Sequence, residues 1–141
     1  MPPLIDNFDG RFILGLPVMD HAHREMVELV NRMAEASDAT FAYLYADLVS
    51  HTHAHFASEE VLMKEAAFPA IAEHKSEHAR VLGELDRFGQ RLAGGRIAFA
   101  RAYVTEQLPD WFALHLATMD SALAAHVAAR SAVKVAPPRA G

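Results

Sequence analysis

Apolar residues recur every three or four positions over four stretches of the chain, the period of helices with one face turned inward. The first 18 residues stand outside the pattern. They hold three of the seven prolines (Pro2, Pro3 and Pro17) and no helical stripe, and read as an extended arm packed across the helices. Asp20 then offers an N-cap for a helix to about Ala36, with His23, Met26, Val27, Val30 and Met33 inward. Ser37 and Asp38 break it. A second stripe from about Thr40 to Ala66 takes in Leu44, Leu48, Thr52, His55, Glu59, Leu62 and Ala66, so its core line carries polar groups. Beyond Phe68-Pro69, a third helix to about Ala93 turns Ile71, His74, His78, Val81, Leu85, Phe88 and Leu92 inward, and Gly94-Gly95 supplies its stop. The last helix is expected from about Arg96 to Arg130, with Val104, Leu108, Trp111, His115, Leu116, Met119 and Leu123 inward and a kink at Pro109. Residues 131–141 read as a loose tail. Four amphipathic helices with short links predict an all-α, up-down-up-down four-helix bundle over residues 19–130.

Composition narrows the chemistry. At 141 residues, 52% hydrophobic and 22% charged, the chain reads as a single packed domain. It shows no internal repeat and no low-complexity segment. No apolar run approaches the roughly 18 residues of a membrane span, and the first residues lack a basic stretch followed by an apolar one. A cytoplasmic, monomeric protein without membrane partners is the expectation. The absence of cysteine excludes disulfides, a thiolate nucleophile, Cys-held iron–sulfur clusters and Cys-type zinc knuckles, leaving nitrogen and oxygen for any metal. A net charge of −5 argues against nucleic acid as a partner. The departure from ordinary composition is nine histidines, against one Trp and three Tyr.

His55 and Glu59 lie four residues apart, as do His74 and His78, so each pair shares one helix face about one turn apart. His23 lies on the inner line of the first helix, and His115 and Asp120 on the last. Every helix thus sends at least one potential ligand inward. The five-residue step from His115 to Asp120 rotates by roughly 140°, so these two are expected to reach a site from either side of the helix axis. One such histidine would read as an ordinary hydrogen-bonded core residue, and one HxxxH pair as a solvated face. Seven polar groups in one core are different, because their desolvation is costly unless a metal or one another satisfies them. An HxHxH strand over His51, His53 and His55 fails, since its flanks follow helical periodicity. Five imidazoles and two carboxylates exceed the shell of a single zinc and suit two octahedral first-row ions bridged by carboxylate, with iron favoured. The Glu-x-x-His motif of ferritin-like di-iron enzymes is missing from the stripe. An imidazole-rich shell disfavours high-valent iron and so favours reversible ligand binding.

The D-x-x-H of Asp20–His23, the H-F-x-x-E-E of His55–Glu60, the H-x3-H of His74–His78 and the W-x3-H-x4-D of Trp111–Asp120 resemble the hemerythrins, in particular the short bacterial ones. The resemblance runs from about residue 12 to 123. It implies that His74, His78 and His115 hold one iron, that His23 and His55 hold the other, and that Glu59 and Asp120 bridge the two beside an oxo or hydroxo bridge. It also places the one open coordination position on the iron held by His23 and His55. Ala22 stands where the family usually has Gln, Pro109 falls within the last helix, and residues 94–110 are longer than the family pattern. The implied function is reversible O2 binding for storage, delivery or local supply, with azide or NO as alternative small ligands. Two other readings stand beside it: a di-iron peroxidase or oxidase acting on a small molecule such as NO, supported by His51, and an O2 or iron sensor working through a separate partner.

Met26, Phe56, Trp111, Phe112 and Leu116 each neighbour a ligand by one, three or four positions and form a candidate dry sheath over the metals. Phe112, Met26 and Phe56 are expected to border the open position. His51, one turn before His55, is a candidate second layer or solvent path, while His21, His53 and His126 read as solvated.

Overall fold

The computed structural model describes residues 3–135, the last four of them through their backbone alone. A short helix, α1 (Phe8–Arg11), precedes α2 (Pro17–Glu35), α3 (Asp38–Glu65) and α4 (Ile71–Ala93). The final stretch is a composite: α5 (Ile97–Ala102), a π-turn over Tyr103–Gln107, α6 (Leu108–His115), a second π-turn over Leu116–Asp120, and α7 (Ser121–Val135). α2 packs on α3, α3 on α4 and α4 on α5, with α2 also meeting the first π-turn, so the four long stretches close into a four-helix bundle. No helix of the described residues is long and apolar enough to cross a membrane.

Local chemistry explains the boundaries, and in three places corrects them. α2 begins at Pro17, where a missing N–H is harmless, and not at an Asp20 cap. Asp20 sits in the first turn, and its carboxylate accepts the N–H groups of Leu14 (2.8 Å) and Gly15 (3.1 Å) in the loop before it. Ser37 caps α3 by accepting from the Thr40 N–H at 3.3 Å. Gly95, at φ 84°, takes the left-handed conformation that turns the chain out of α4. Pro109, where a kink was expected, stands in the first turn of a new helical segment. It opens α6 directly after the first π-turn, where the change from i→i+5 to i→i+4 bonding accommodates its missing N–H. The last helix also runs five residues past the expected end at Arg130, to Val135, and residues 136–141 lie outside the described part.

The arm is not fully extended, since α1 lies within it. Asn31 ties it down by accepting from the Ile5 N–H (2.7 Å) and donating to the Ile5 carbonyl (2.9 Å). Ile5, Phe8 and Phe12 are buried, and Arg24 covers the Phe8 ring while pairing with Asp9. Two apolar clusters fill the bundle. The larger includes Met26, Val30, Met33, Phe41, Leu48, Val81, Leu85 and Leu108; the smaller comprises Met19, Met63, Phe68, Leu123 and Ala124. On α2, α3 and the last stretch, His23, Glu59 and Asp120 fall between residues of one cluster and residues of the other. A polar layer is therefore held between two dry ones.

Candidate metal centre

Seven polar side chains form that layer: His23 from α2, His55 and Glu59 from α3, His74 and His78 from α4, His115 at the end of α6 and Asp120 at the end of the second π-turn. None is more than 6% exposed. The two carboxylates organise the set. Glu59 Oε1 lies 3.2 Å from His74 Nε2 and 3.3 Å from His78 Nε2, while its Oε2 lies 2.8 Å from His55 Nε2 and 3.4 Å from His23 Nε2. Asp120 Oδ1 lies 3.1 Å from His74 Nε2 and 3.2 Å from His115 Nε2, while its Oδ2 lies 3.0 Å from His23 Nε2. Two groups result, within each of which the donor atoms lie within 4.8 Å of one another. One comprises Glu59, His74, His78, His115 and Asp120; the other comprises His23, His55, Glu59 and Asp120.

The five-residue step between His115 and Asp120 needed a different explanation from the one its helical angle suggested. In an i→i+5 turn, the fifth residue takes the place above residue i that the fourth takes in an α-helix. The π-turn over Leu116–Asp120 thereby sets Asp120 on the same side as His115.

These nitrogens and oxygens are close without being hydrogen-bonded. Both Glu59 oxygens, Asp120 Oδ1, and the Nε2 atoms of His23, His74, His78 and His115 are buried with no aligned partner among the described residues. Buried polar atoms are rarely left so, and donors that converge on a common space without aiming at one another are a set able to hold a metal. Electrostatics agree. Burial opposes charge on His23 and His74, yet Asp120 and Glu59 beside them raise both imidazoles to about 9. Burial likewise opposes charge on Glu59 and Asp120, and the surrounding imidazoles outweigh it, holding both well below the usual carboxylate range.

The family model described as "Hemerythrin HHE cation binding domain" matches residues 14–127. The chain belongs to the hemerythrin family. It is 38% identical over 117 residues to a bacteriohemerythrin of Ralstonia nicotianae, covering 83% of this chain and 85% of that one. A myohemerythrin of Riftia pachyptila is 26% identical over 101 residues, covering 72% and 82%. Among solved structures, a hemerythrin variant superposes with a TM-score of 0.79 at 20% identity, covering 88% of this chain and 97% of the other. Wild-type hemerythrin gives 0.75 at 21%, covering 84% and 93%. At such identity the structural likeness speaks for the fold.

Around this hemerythrin-family cluster the apolar residues divide between the two groups. Phe112 meets the His23 ring edge-on (5.7 Å, 82°) and is itself backed by Phe12 of the arm (5.4 Å, 67°). Met26 and Leu116 are buried in the same core. Phe56 of that core touches both groups: it lies 5.7 Å from the His55 ring and also stacks on His78 (3.8 Å, 4°) of the three-histidine group. Trp111 stacks on His115 (4.6 Å, 19°). Its indole N–H donates to Glu77 at 2.7 Å, and Arg80 holds the same carboxylate at 2.6 Å. Arg80, against some burial and with Trp111 adding to it, holds the Glu77 carboxyl at about 2. Glu60 lies 3.2 Å from His78 Nδ1, which sets that ring's tautomer with Nε2 toward the cluster. Glu60, which closes the H-F-x-x-E-E motif, and Glu77 were given no role from the sequence, although each adjoins a candidate ligand. His51 stacks parallel to His55 at 6.3 Å, but its nitrogens face the Ala22 carbonyl (3.1 Å) and Glu25 (3.5 Å). His21 pairs with Glu25 at the surface, and His53 is exposed. His126 is half-buried and reaches the Ala66 carbonyl at 2.7 Å, so it is not a free surface group.

Proposed function

We propose that this chain holds two iron ions and binds O2 reversibly. The observation that carries the reading is the division of each carboxylate: Glu59 and Asp120 both direct one oxygen to each group of imidazoles. His74, His78 and His115 would hold one ion with Glu59 Oε1 and Asp120 Oδ1, and His23 and His55 the other with Glu59 Oε2 and Asp120 Oδ2. Iron would supply reversible coordination of O2, the chemistry that nitrogen and oxygen side chains lack. The His23–His55 group offers one donor fewer, so a small ligand belongs on that side. There Phe112, backed by Phe12, presents an apolar wall that keeps water and bulky molecules away from His23. Azide and NO would be alternative small ligands on that side. In the metal-free chain, the protons that Asp120 and Glu59 hold on His23 and His74 must leave for the nitrogens to bind metal. The side chain that supported turnover, His51, is tied to Ala22 and is not directed at the cluster.

The test is an anaerobic ultraviolet–visible titration of iron-loaded protein with O2, together with metal analysis. Two irons per chain and an absorption change that reverses when O2 is removed are expected. One zinc per chain from iron-replete cells, or sustained consumption of peroxide or NO, would overturn the reading.

A further inference from the structure

Away from Phe112, the start of α4 and the approach to α7 enclose a hollow of about 220 Å³. Phe68, Ala70, Met119 and Ala122 make its lining mainly apolar, with Glu73, His74 and Thr118, whose hydroxyl donates to the Leu114 carbonyl, as its polar members. His74 is 1% exposed, and its Nδ1 has no hydrogen-bond partner among the described residues. Its Nε2 faces Glu59 and Asp120. His74 is the one member of the cluster that lines the hollow, and Nδ1 is the ring nitrogen not committed to those carboxylates. Nδ1 of His23 and of His115 are equally unpartnered, but neither residue borders this space.

An imidazole that gives Nε2 to a metal carries its proton on Nδ1, so His74 would present a buried N–H donor beside apolar surface. Complementarity then defines the occupant. It needs one acceptor oxygen for the N–H and an apolar body for Phe68 and Met119. It carries no negative charge, because Glu73 and the net charge of −5 oppose an anion. We propose that this hollow binds a small neutral molecule bearing a carbonyl or hydroxyl oxygen, and that its occupancy tunes the metal centre through His74. The second part rests on the di-iron reading: an acceptor on Nδ1–H makes the imidazole a stronger donor at Nε2. Such a molecule influences the centre without competing for the position beside Phe112.

Cyclopentanone is the probe, added to reduced, iron-loaded protein while the exchangeable, hyperfine-shifted N–H resonances of iron-bound histidines are followed by proton NMR. One of them is expected to shift saturably. Ala122→Phe, which fills the hollow from its exposed edge, is expected to weaken the response by about tenfold or more with iron content unchanged. Ala122→Met provides the same comparison if the larger side chain does not fold. Iron-replete protein with no saturable shift, or a response of equal strength in the filled variants, overturns the proposal and leaves the di-iron reading standing. A chain that takes up no iron shows no hyperfine-shifted resonances, and removes the di-iron reading together with this one.

Discussion

Deleting Ala117 separates two ways of building the end of the site. Ala117 is exposed within the π-turn, and without it Asp120 follows His115 by four positions. Four α-helical residues rotate by about 40° beyond a full turn, close to where the wide turn now sets Asp120 with its five. The deletion should therefore convert the turn to plain α-helix, keep Asp120 beside His115 and leave α7 in register. One residue fewer is ordered on folding, worth about 1–2 kcal/mol of backbone entropy, and the recovered i→i−4 bonding adds about 1 kcal/mol. Some loss from repacking of Thr118 and Met119 leaves a net gain of about 1–2 kcal/mol, or roughly 3–6 °C in Tm for a chain of this size. Scanning calorimetry of metal-free and iron-loaded protein, with iron counted per chain, checks both halves. The control is deletion of exposed Ala57 from regular α3, which swings Glu59 by about 100° relative to His55 and should abolish iron binding. If loss of Ala117 also lowered Tm or emptied the site, α7 would have rotated, exposing fully buried Leu123, and the account of the π-turn would be wrong.

Glu59→Ala should leave a mononuclear or poorly occupied site, because no other side chain offers an oxygen to four of the imidazoles; two irons with an unchanged spectrum would remove Glu59 from the bridge. Phe112→Ala truncates a ring that is 5% exposed and should cost about 3–5 kcal/mol of stability while accelerating azide binding and autoxidation at unchanged iron content. Equal azide rates in the two proteins would show that access is not gated there. Glu77→Ala releases the indole N–H of Trp111, the chain's single Trp, and should red-shift its fluorescence, whereas Glu77→Gln, which keeps an acceptor oxygen, should restore it; an unmoved spectrum in the alanine variant would sever the link. His53→Ala should leave both iron content and Tm unchanged, while His74→Ala lowers both; equal damage would mean that α3 turns a different face inward.

Helical spacing made much of this arrangement readable. His55 with Glu59 and His74 with His78 lie on unbroken α-helix, where a separation of four settles which side chains share a face. That His115 and Asp120 share one side of the helix was hidden because the angular argument assumes one uniform helix, and no hydrophobic stripe marks a π-turn. The segment boundary at Pro109 was hidden for a related reason. A missing N–H disrupts a regular helix, but it sits without conflict where a wider turn has already changed the bonding. Met63 is fully buried yet lay outside the line drawn through Leu62 and Ala66, because the inward face drifts by one position along a helix as long as α3. Phe56 was placed by its neighbour in sequence, His55, and lies beside it, but its closer stacking on His78 of another helix was not foreseen. Such a contact depends on how two helices are set against each other, which the pattern along either one does not contain.

His23 and Asp120 approach to 3.0 Å although they are about a hundred positions apart in the chain. Ions held between them would act as a removable staple in a protein without disulfides, closing the longest loop of the bundle along with the shorter ones through His55 and His74. In the chain-entropy picture, a covalent link across such a loop is worth about 4–5 kcal/mol, and a coordinate link lends part of that for as long as it lasts. Fraying of α7 beyond Asp120 breaks none of these ties. Ions so held would leave most readily once α2 parts from the last helix, so the rate at which a strong chelator strips iron is expected to follow the rate of global opening and serve as a clock for it.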